Sequence, residues 1–213
     1  MFTGIVQNLV PVVSVSHHTD ISKLTLDLTG TSQNLQTGAS VAVNGVCLTV
    51  VNWQGNHVNF DVISQTIRTT NLSQLKAGQL VNVERSFAAG DEIGGHIVSG
   101  HVCGTATLLQ RRVQGHDHVL RLDVAEHMRY IFNKGFVALD GASLTVSDIN
   151  KSEGWLEISL IPETLARTTL ASYEEGAQIN LEVDSSTVAT VDSIESLLAD
   201  EHWLQLLKQR LRD

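Results

Sequence analysis

The chain is poor in cysteine, proline, aromatic residues and positive charge. Only 2 of its 213 residues are cysteine, Cys47 and Cys103. That is too few for a disulfide framework and lacks the paired spacing of a zinc ribbon, so reduced thiols and a cytoplasmic setting are expected. Lysine and arginine number 14 against 23 aspartates and glutamates. No stretch gathers the cations into a stripe able to follow a phosphate backbone, so nucleic acid is not an expected partner. No apolar run reaches the roughly 18 residues of a membrane span, and Met1-Phe2-Thr3-Gly4-Ile5-Val6 places no basic stretch ahead of an apolar core; neither membrane insertion nor secretion is expected. With 2 prolines, 16 glycines and 42% hydrophobic residues, the composition is that of a globular chain, neither disordered nor collagen-like.

What is present is a repeat. Asn44-Gly45-Val46-Cys47-Leu48-Thr49-Val50 recurs as Asp140-Gly141-Ala142-Ser143-Leu144-Thr145-Val146 at an offset of 96. Gln65-Thr66-Ile67 then matches Glu163-Thr164-Leu165, and Gly78 with Val81-Asn82-Val83-Glu84 matches Gly176 with Ile179-Asn180-Leu181-Glu182, at an offset of 98. Thr3-Gly4-Ile5-Val6 faces Ser99-Gly100-His101-Val102 at the first offset. Ordered matches at a nearly constant offset mark duplication of one structural unit, dividing the chain into halves at 1–96 and 97–186. Each half is near the lower end of domain size.

Inside the halves the period is two. Asn59-Phe60-Asp61-Val62, Trp155 to Leu160 and Val81 to Glu84 alternate polar and apolar as half-buried strands do. Breaks such as Gln54-Gly55-Asn56 and Ser152-Glu153-Gly154 are too short for crossover helices, so each half reads as a small antiparallel barrel. After Asp184 the pattern becomes helical. Ile194, Leu197, Leu198, Leu204, Leu207 and Leu211 fall near one face, and Asp192 with Glu195 has capping-box-like spacing. That apolar stripe serves either the chain's own barrel or a subunit contact.

Met1 to Val6, Asn44 to Val50, Asp91-Glu92-Ile93-Gly94-Gly95-His96 and Leu160-Ile161-Pro162-Glu163-Thr164-Leu165, in this order and spacing, resemble the riboflavin synthase family over nearly the whole chain. The resemblance implies an all-β fold of two tandem six-stranded Greek-key barrels, one lumazine-binding barrel at 1–96 and another at 97–186. A C-terminal helix at 187–213 would build a homotrimer with active sites between barrels of neighbouring subunits. The implied reaction transfers four carbons between two 6,7-dimethyl-8-ribityllumazine molecules, giving riboflavin and 5-amino-6-(ribitylamino)uracil. Non-catalytic lumazine-binding proteins share the fold, so a lumazine or flavin carrier is the alternative. A flavin oxidoreductase would need a nucleotide-binding α/β unit with a Gly-rich loop, which the sequence lacks.

In that reaction the carbanion left by loss of the C7 methyl proton is absorbed by the substrate's own ring, so neither a metal nor a redox cofactor is expected. Holding two rings in reacting geometry is worth about 7–11 kcal/mol in favourable models, with general acid–base groups assisting. The repeat pairs Cys47 with Ser143 and Thr49 with Thr145, at alternate positions on one strand face. A free cysteine in an apolar strand is more often a packed small hydrophobe, and a lone serine or threonine often bonds its own backbone; the resemblance places these residues at the ligand. It likewise implies catalytic roles for His101 and Lys134, otherwise surface residues by default.

Phe2 is expected to close the first pocket. Asp61, Ile63 and Thr66 in the first half, and Ser159, Ile161, Pro162 and Thr164 in the second, are expected to line the pockets. Gly4, Ile5, Val6, Ser40, Leu48, Val62, Gln65, Gly100, Val102, Leu144 and Glu163 complete the expected substrate contacts. Thr70 and Thr168 are read as structural. His96, His101 and Cys103 are too loosely spaced to make a metal site. One departure stands out: where the family commonly has Glu, the first half has Gln65, an uncharged partner for a ribityl hydroxyl, while Glu163 keeps the acid in the second.

Overall fold

A strand with one apolar face must bury it, and among the described residues twelve short strands do so by closing twice on themselves. In the computed structural model, which describes residues 1–115, 117–200 and 203, the first barrel comprises β1 (Asn8–Ser16), β2 (Ile21–Asp27), β3 (Ser40–Val43), β4 (Val46–Gln54), β5 (His57–Ile63) and β6 (Leu80–Arg85). The second comprises β7 (Gly104–Gln114), β8 (Asp117–Asp123), β9 (Phe136–Leu139), β10 (Ala142–Asn150), β11 (Trp155–Leu160) and β12 (Gln178–Val183). The first barrel closes in the Greek-key order β1-β2-β5-β4-β3-β6, and the second repeats that order around its own ring. Every pairing is antiparallel.

Closure of so few strands needs sharp bending, which bulges supply. They fall at repeat-equivalent places: between Val12 and Ser14 and between Val50 and Asn52 in one barrel, Leu108 and Gln110 and Val146 and Asp148 in the other. Inward side chains make two separate cores, one around Leu24, Leu26, Phe60 and Val83, the other around Leu120, Leu122, Ile158 and Leu181. Each such side chain withdrawn from water contributes about 1.5–3 kcal/mol.

β5 alternates as its sequence predicts, but β6 does not: Val81, Asn82, Val83 and Glu84 are all buried. Of the polar residues expected to face solvent, Asn82 faces the other barrel and Glu84 faces the segment ahead of β1. Asn82 Nδ2 donates to Asp140 O (2.9 Å) and, across the pseudo-twofold axis, Asn180 Nδ2 donates to Asn44 O (2.8 Å). Asn71 N donates to Asn180 Oδ1 (2.7 Å) and Thr169 N to Asn82 Oδ1 (2.8 Å). Glu157 in β11 breaks the alternation for a different reason, because Arg121 and Arg112 hold its carboxylate at 2.7 and 3.3 Å.

The last described helix, α3 (Ser185–Ala199), begins at Asp184, whose carboxylate accepts from Thr187 N. Asp192 and Glu195 are therefore not its cap; they lie inside the helix and pair with Arg129 of the second barrel. Val188 packs on that barrel's core. Ile194, Leu197 and Leu198 are exposed, while Leu204, Leu207 and Leu211 lie outside the described residues.

Asp140, the repeat partner of Asn44, is wholly buried at the seam. It accepts from Asn71 Nδ2 (2.9 Å) and Asn180 N (2.9 Å), and Tyr173 OH lies 2.5 Å from its other oxygen. Burial raises its pKa from 3.8 to about 7, outweighing these hydrogen bonds. Between those values the folded chain holds a proton that the unfolded chain has released. The resulting stability is fully present below about 3.8 and is lost as pH rises through about 7. Asp140→Asn, which restores the residue found in the other half, is expected to flatten the fall in urea midpoint between pH 4 and about 7; an unchanged slope in the variant would assign that fall to other groups.

Candidate active site

Each half begins with a strap that leaves its own barrel and lies on the other. Phe2 and Val98 bridge the straps, with Phe2 N to Val98 O at 2.8 Å and Val98 N to Phe2 O at 2.9 Å. Beyond the bridge Val6 packs into the core of the second barrel and Val102 against that of the first. The roots of the straps are held by the buried carboxylates that β6 and β12 turn outward. Glu84 accepts from Thr3 N (2.6 Å), Thr3 Oγ1 (2.8 Å) and Gly4 N (3.0 Å). Glu182 repeats the pattern with Ser99 N and Oγ (both 2.7 Å) and Gly100 N (3.0 Å). Burial pushes the Glu84 carboxyl up despite these bonds.

The straps cross the barrels at the two residues that the repeat pairs. Ser143 N donates to Gly4 O (2.8 Å), and Cys47 N donates to Gly100 O (2.9 Å). Gly4 and Gly100 have φ of +74° and +83°, and a Cβ on either would sit 2.5 Å from the Cβ of Ser143 or Cys47. Glycine is required by conformation and by space together.

Two clusters result. In the first, Cys47 and Thr49 lie on the outward face of β4, with Ser40 opposite Thr49 in the ladder and His101 and Val102 arriving on the strap. In the second, Ser143 and Thr145 lie on β10, Phe136 takes the ladder position of Ser40, and Ile5 and Val6 arrive on the strap. Lys134, exposed in the turn before β9, has φ of +65° where its repeat counterpart Gly38 has +86°. A non-glycine residue held in that left-handed region costs about 1–2 kcal/mol.

The remaining expected residues divide by exposure. Asp61, Ile63 and Gln65 of the first half, and Ser159, Ile161, Pro162 and Glu163 of the second, are exposed, with Thr66 and Thr164 half-buried beside them. They occupy the ends of β5 and β11 and the single-turn helices α1 (Ser64–Thr69) and α2 (Pro162–Arg167). Glu163 is engaged by Arg167 at 2.8 Å. Thr70 and Thr168 cap the 3-10 turns that follow, each accepting from the backbone two residues on. Leu48, Val62 and Leu144 point into the cores, leaving only their backbone for a ligand. Phe2 is wholly buried among Ala42, Val98 and Ala138, so its ring backs Cys47 from within and does not cap an open cleft.

Two residues that the sequence reading did not place join the second cluster. His96 Nδ1 and Ser143 Oγ share a hydrogen bond of 2.6 Å, and the imidazole stacks on Phe136 with centroids 5.4 Å apart. The signals were present: Phe136 is an aromatic at the repeat position of Ser40, and His96 ends the Gly94-Gly95-His96 motif. A half-open inter-barrel cleft of about 430 Å³ lies elsewhere, lined by residues that include Asn44, Asn71, Thr169 and Tyr173. The Cys47 and Ser143 faces are open.

Tandem barrels with exchanged straps and a matched thiol and hydroxyl define an internally duplicated tandem-barrel protein. Residues 3–86 and 99–184 each match the Lumazine binding domain. The chain is 44% identical over 202 residues to riboflavin synthase of Escherichia coli strain K12, covering 93% of this chain and 94% of that one. It is 41% identical over 187 residues to riboflavin synthase of Mycobacterium bovis, covering 86% and 93%. The crystal structure of LumP complexed with riboflavin aligns with a TM-score of 0.79 at 26% identity, covering 87% of this chain and all of that one. The chain belongs to the riboflavin synthase family, with the lumazine-binding domain present twice.

The strap geometry gives a prediction with an internal control. Gly4→Ala combines a strained φ with overlap against Ser143 and should cost about 2–4 kcal/mol. Gly78→Ala, at φ +88° with nothing within 4 Å of the new Cβ, should cost only the conformational part, about 1–2 kcal/mol. Urea unfolding reads both, and equal losses would mean that the strap does not dock as described.

Proposed function

We propose that this chain catalyses the riboflavin synthase reaction, transferring a four-carbon unit between two molecules of 6,7-dimethyl-8-ribityllumazine. The observation that carries this reading is 44% identity, across 93% of the chain, to a riboflavin synthase, well above the 26% identity to the riboflavin-binding LumP structure. The geometry fits the chemistry. Two copies of one ligand need two similar sites, and the duplication supplies them with Cys47 and Thr49 in one, Ser143 and Thr145 in the other.

In this reading Cys47, Ser143, His101 and Lys134 act on the reacting atoms. Exposed backbone and hydroxyl groups around Asp61, Ile63, Gln65 and Thr66, and around Ser159, Ile161, Glu163 and Thr164, take the uracil-like edge and ribityl chain. The ring is its own electron sink, so the step asks for positioning and proton transfer and not for a metal or redox cofactor. Because both faces are open in one chain, each site is completed by the barrel of a neighbouring copy. The exposed Ile194, Leu197 and Leu198 of α3 supply the apolar contact for a homotrimer. No described helix is long and apolar enough to cross a membrane, and reduced Cys47 and Cys103 suit a cytoplasmic enzyme.

Purified protein incubated with 6,7-dimethyl-8-ribityllumazine, without metal or nicotinamide, is expected to form riboflavin in excess over protein sites, at half the lumazine consumed. Binding without turnover would make it a carrier. Cys47→Ser should slow turnover on the order of 10²-fold while leaving lumazine affinity nearly intact; equal loss of both would mark Cys47 as a packing residue. Sedimentation equilibrium should give three times the 23.2 kDa chain mass, and a monomer mass would remove the shared site.

A further inference from the structure

The proposed reaction is asymmetric although the repeat is not: one lumazine loses a methyl proton and gives carbons, and the other receives them. Something present only once must distinguish the sites. The segment that follows β6 at the end of the first half, residues 87–96, is such an element, and it ends against the second cluster. Gly95 allows this approach, since a Cβ there would stand 2.3 Å from Thr3 O and 2.8 Å from Ser143 Cβ. The next residue, His96, reaches Ser143 Oγ at 2.6 Å and is held flat against Phe136. In the first site the ladder position of Phe136 is Ser40, and the strap delivers His101 where the second strap delivers Ile5.

We propose that His96 is a positioning base acting through Ser143, and that this pair makes the second barrel the site that deprotonates its lumazine. The inference rests on the synthase reading above. Ser143 Oγ takes a proton from the C7 methyl while its own hydroxyl proton passes to His96 Nδ1. The C–H electron pair moves into the ring and its carbonyls, and the imidazole becomes imidazolium. The same proton returns through Ser143 to the diaminouracil product as it leaves, so the pair ends unchanged and no co-reactant is consumed.

An isolated serine hydroxyl is too weak a base for this step, and a hydrogen-bonded imidazole is the usual remedy. Burial lowers the His96 pKa below its ordinary 6.5. The carboxylates of Asp184 and Glu182, the charged groups acting on it among the described residues, pull the other way without overcoming burial. The ring is thus neutral, and able to accept a proton, at neutral pH.

The test compares His96→Asn, Ser143→Ala and the double variant, reading kcat, KM and the pH profile of riboflavin formation beside lumazine affinity. Asparagine keeps a polar group near the Nδ1 position but does not titrate. Each single variant is expected to lower kcat on the order of 10²-fold, with KM and affinity little changed, and to lose the acid limb of the kcat/KM profile. The double variant is expected to be no slower than Ser143→Ala, because the two residues act as one unit. Should His96→Asn prove unstable, loss of the same acid limb in Ser143→Ala carries the test. Losses that multiply in the double variant, or an acid limb retained in both single variants, would overturn the pairing while leaving the synthase reading intact. A wild-type protein that binds lumazine and forms no riboflavin would overturn that reading and this inference with it.

Discussion

Two hairpin tips, Asn44-Gly45 and Asp140-Gly141, meet at the pseudo-twofold axis so closely that a Cβ on Gly45 would stand 2.6 Å from Gly141 N. The contact works because all four residues adopt positive φ, between +43° and +81°, the two-residue turn that Asn-Gly and Asp-Gly favour. Around it Asn82 and Asn180 reach across to the opposite turn, and Asn71 and Thr169 are fastened to them. A barrel surface lined with amides and carboxylates is costly to bury alone and becomes stable only when each group finds a partner. The seam therefore specifies how the barrels sit against each other, which separate apolar cores would leave loose.

From that seam the straps take their course. Glu84 and Glu182 each gather three donors from the strap root of their own half, and the Phe2–Val98 bridge directs each strap onto the other barrel. The consequence for function is that neither half can form its candidate site alone. Cys47 is backed by Phe2 and crossed by Gly100; Ser143 is crossed by Gly4 and met by His96. The exchange binds site formation to assembly of both domains.

Duplication accounts for the likeness of the two sites, and the residues that escape duplication account for their difference. Ser40 against Phe136, Gly38 against Lys134, Ile5 against His101 and the unrepeated His96 are changes on a common backbone, since strand register and bulges are shared. Holding the frame constant while varying side chains gives one fold two chemically different faces.

Much of this was legible in the chain itself. Period-two alternation, short turns and an offset near 96 determine two antiparallel barrels, because strand patterning and repetition are local properties of sequence. They also pair Cys47 with Ser143 and Thr49 with Thr145. The polar positions of β6 were read as the polar face of a half-buried strand, since alternation reports that a face is polar and not what covers it. The cap assigned to Asp192 and Glu195 failed for a similar reason: spacing alone does not reveal that Arg129 of the neighbouring barrel claims both carboxylates. The exchange of straps, the burial of Phe2 and the meeting of His96 with Ser143, 47 positions apart, were decided only by tertiary structure. Each depends on where two separately closed barrels come to rest, a matter of long-range packing that no local pattern encodes.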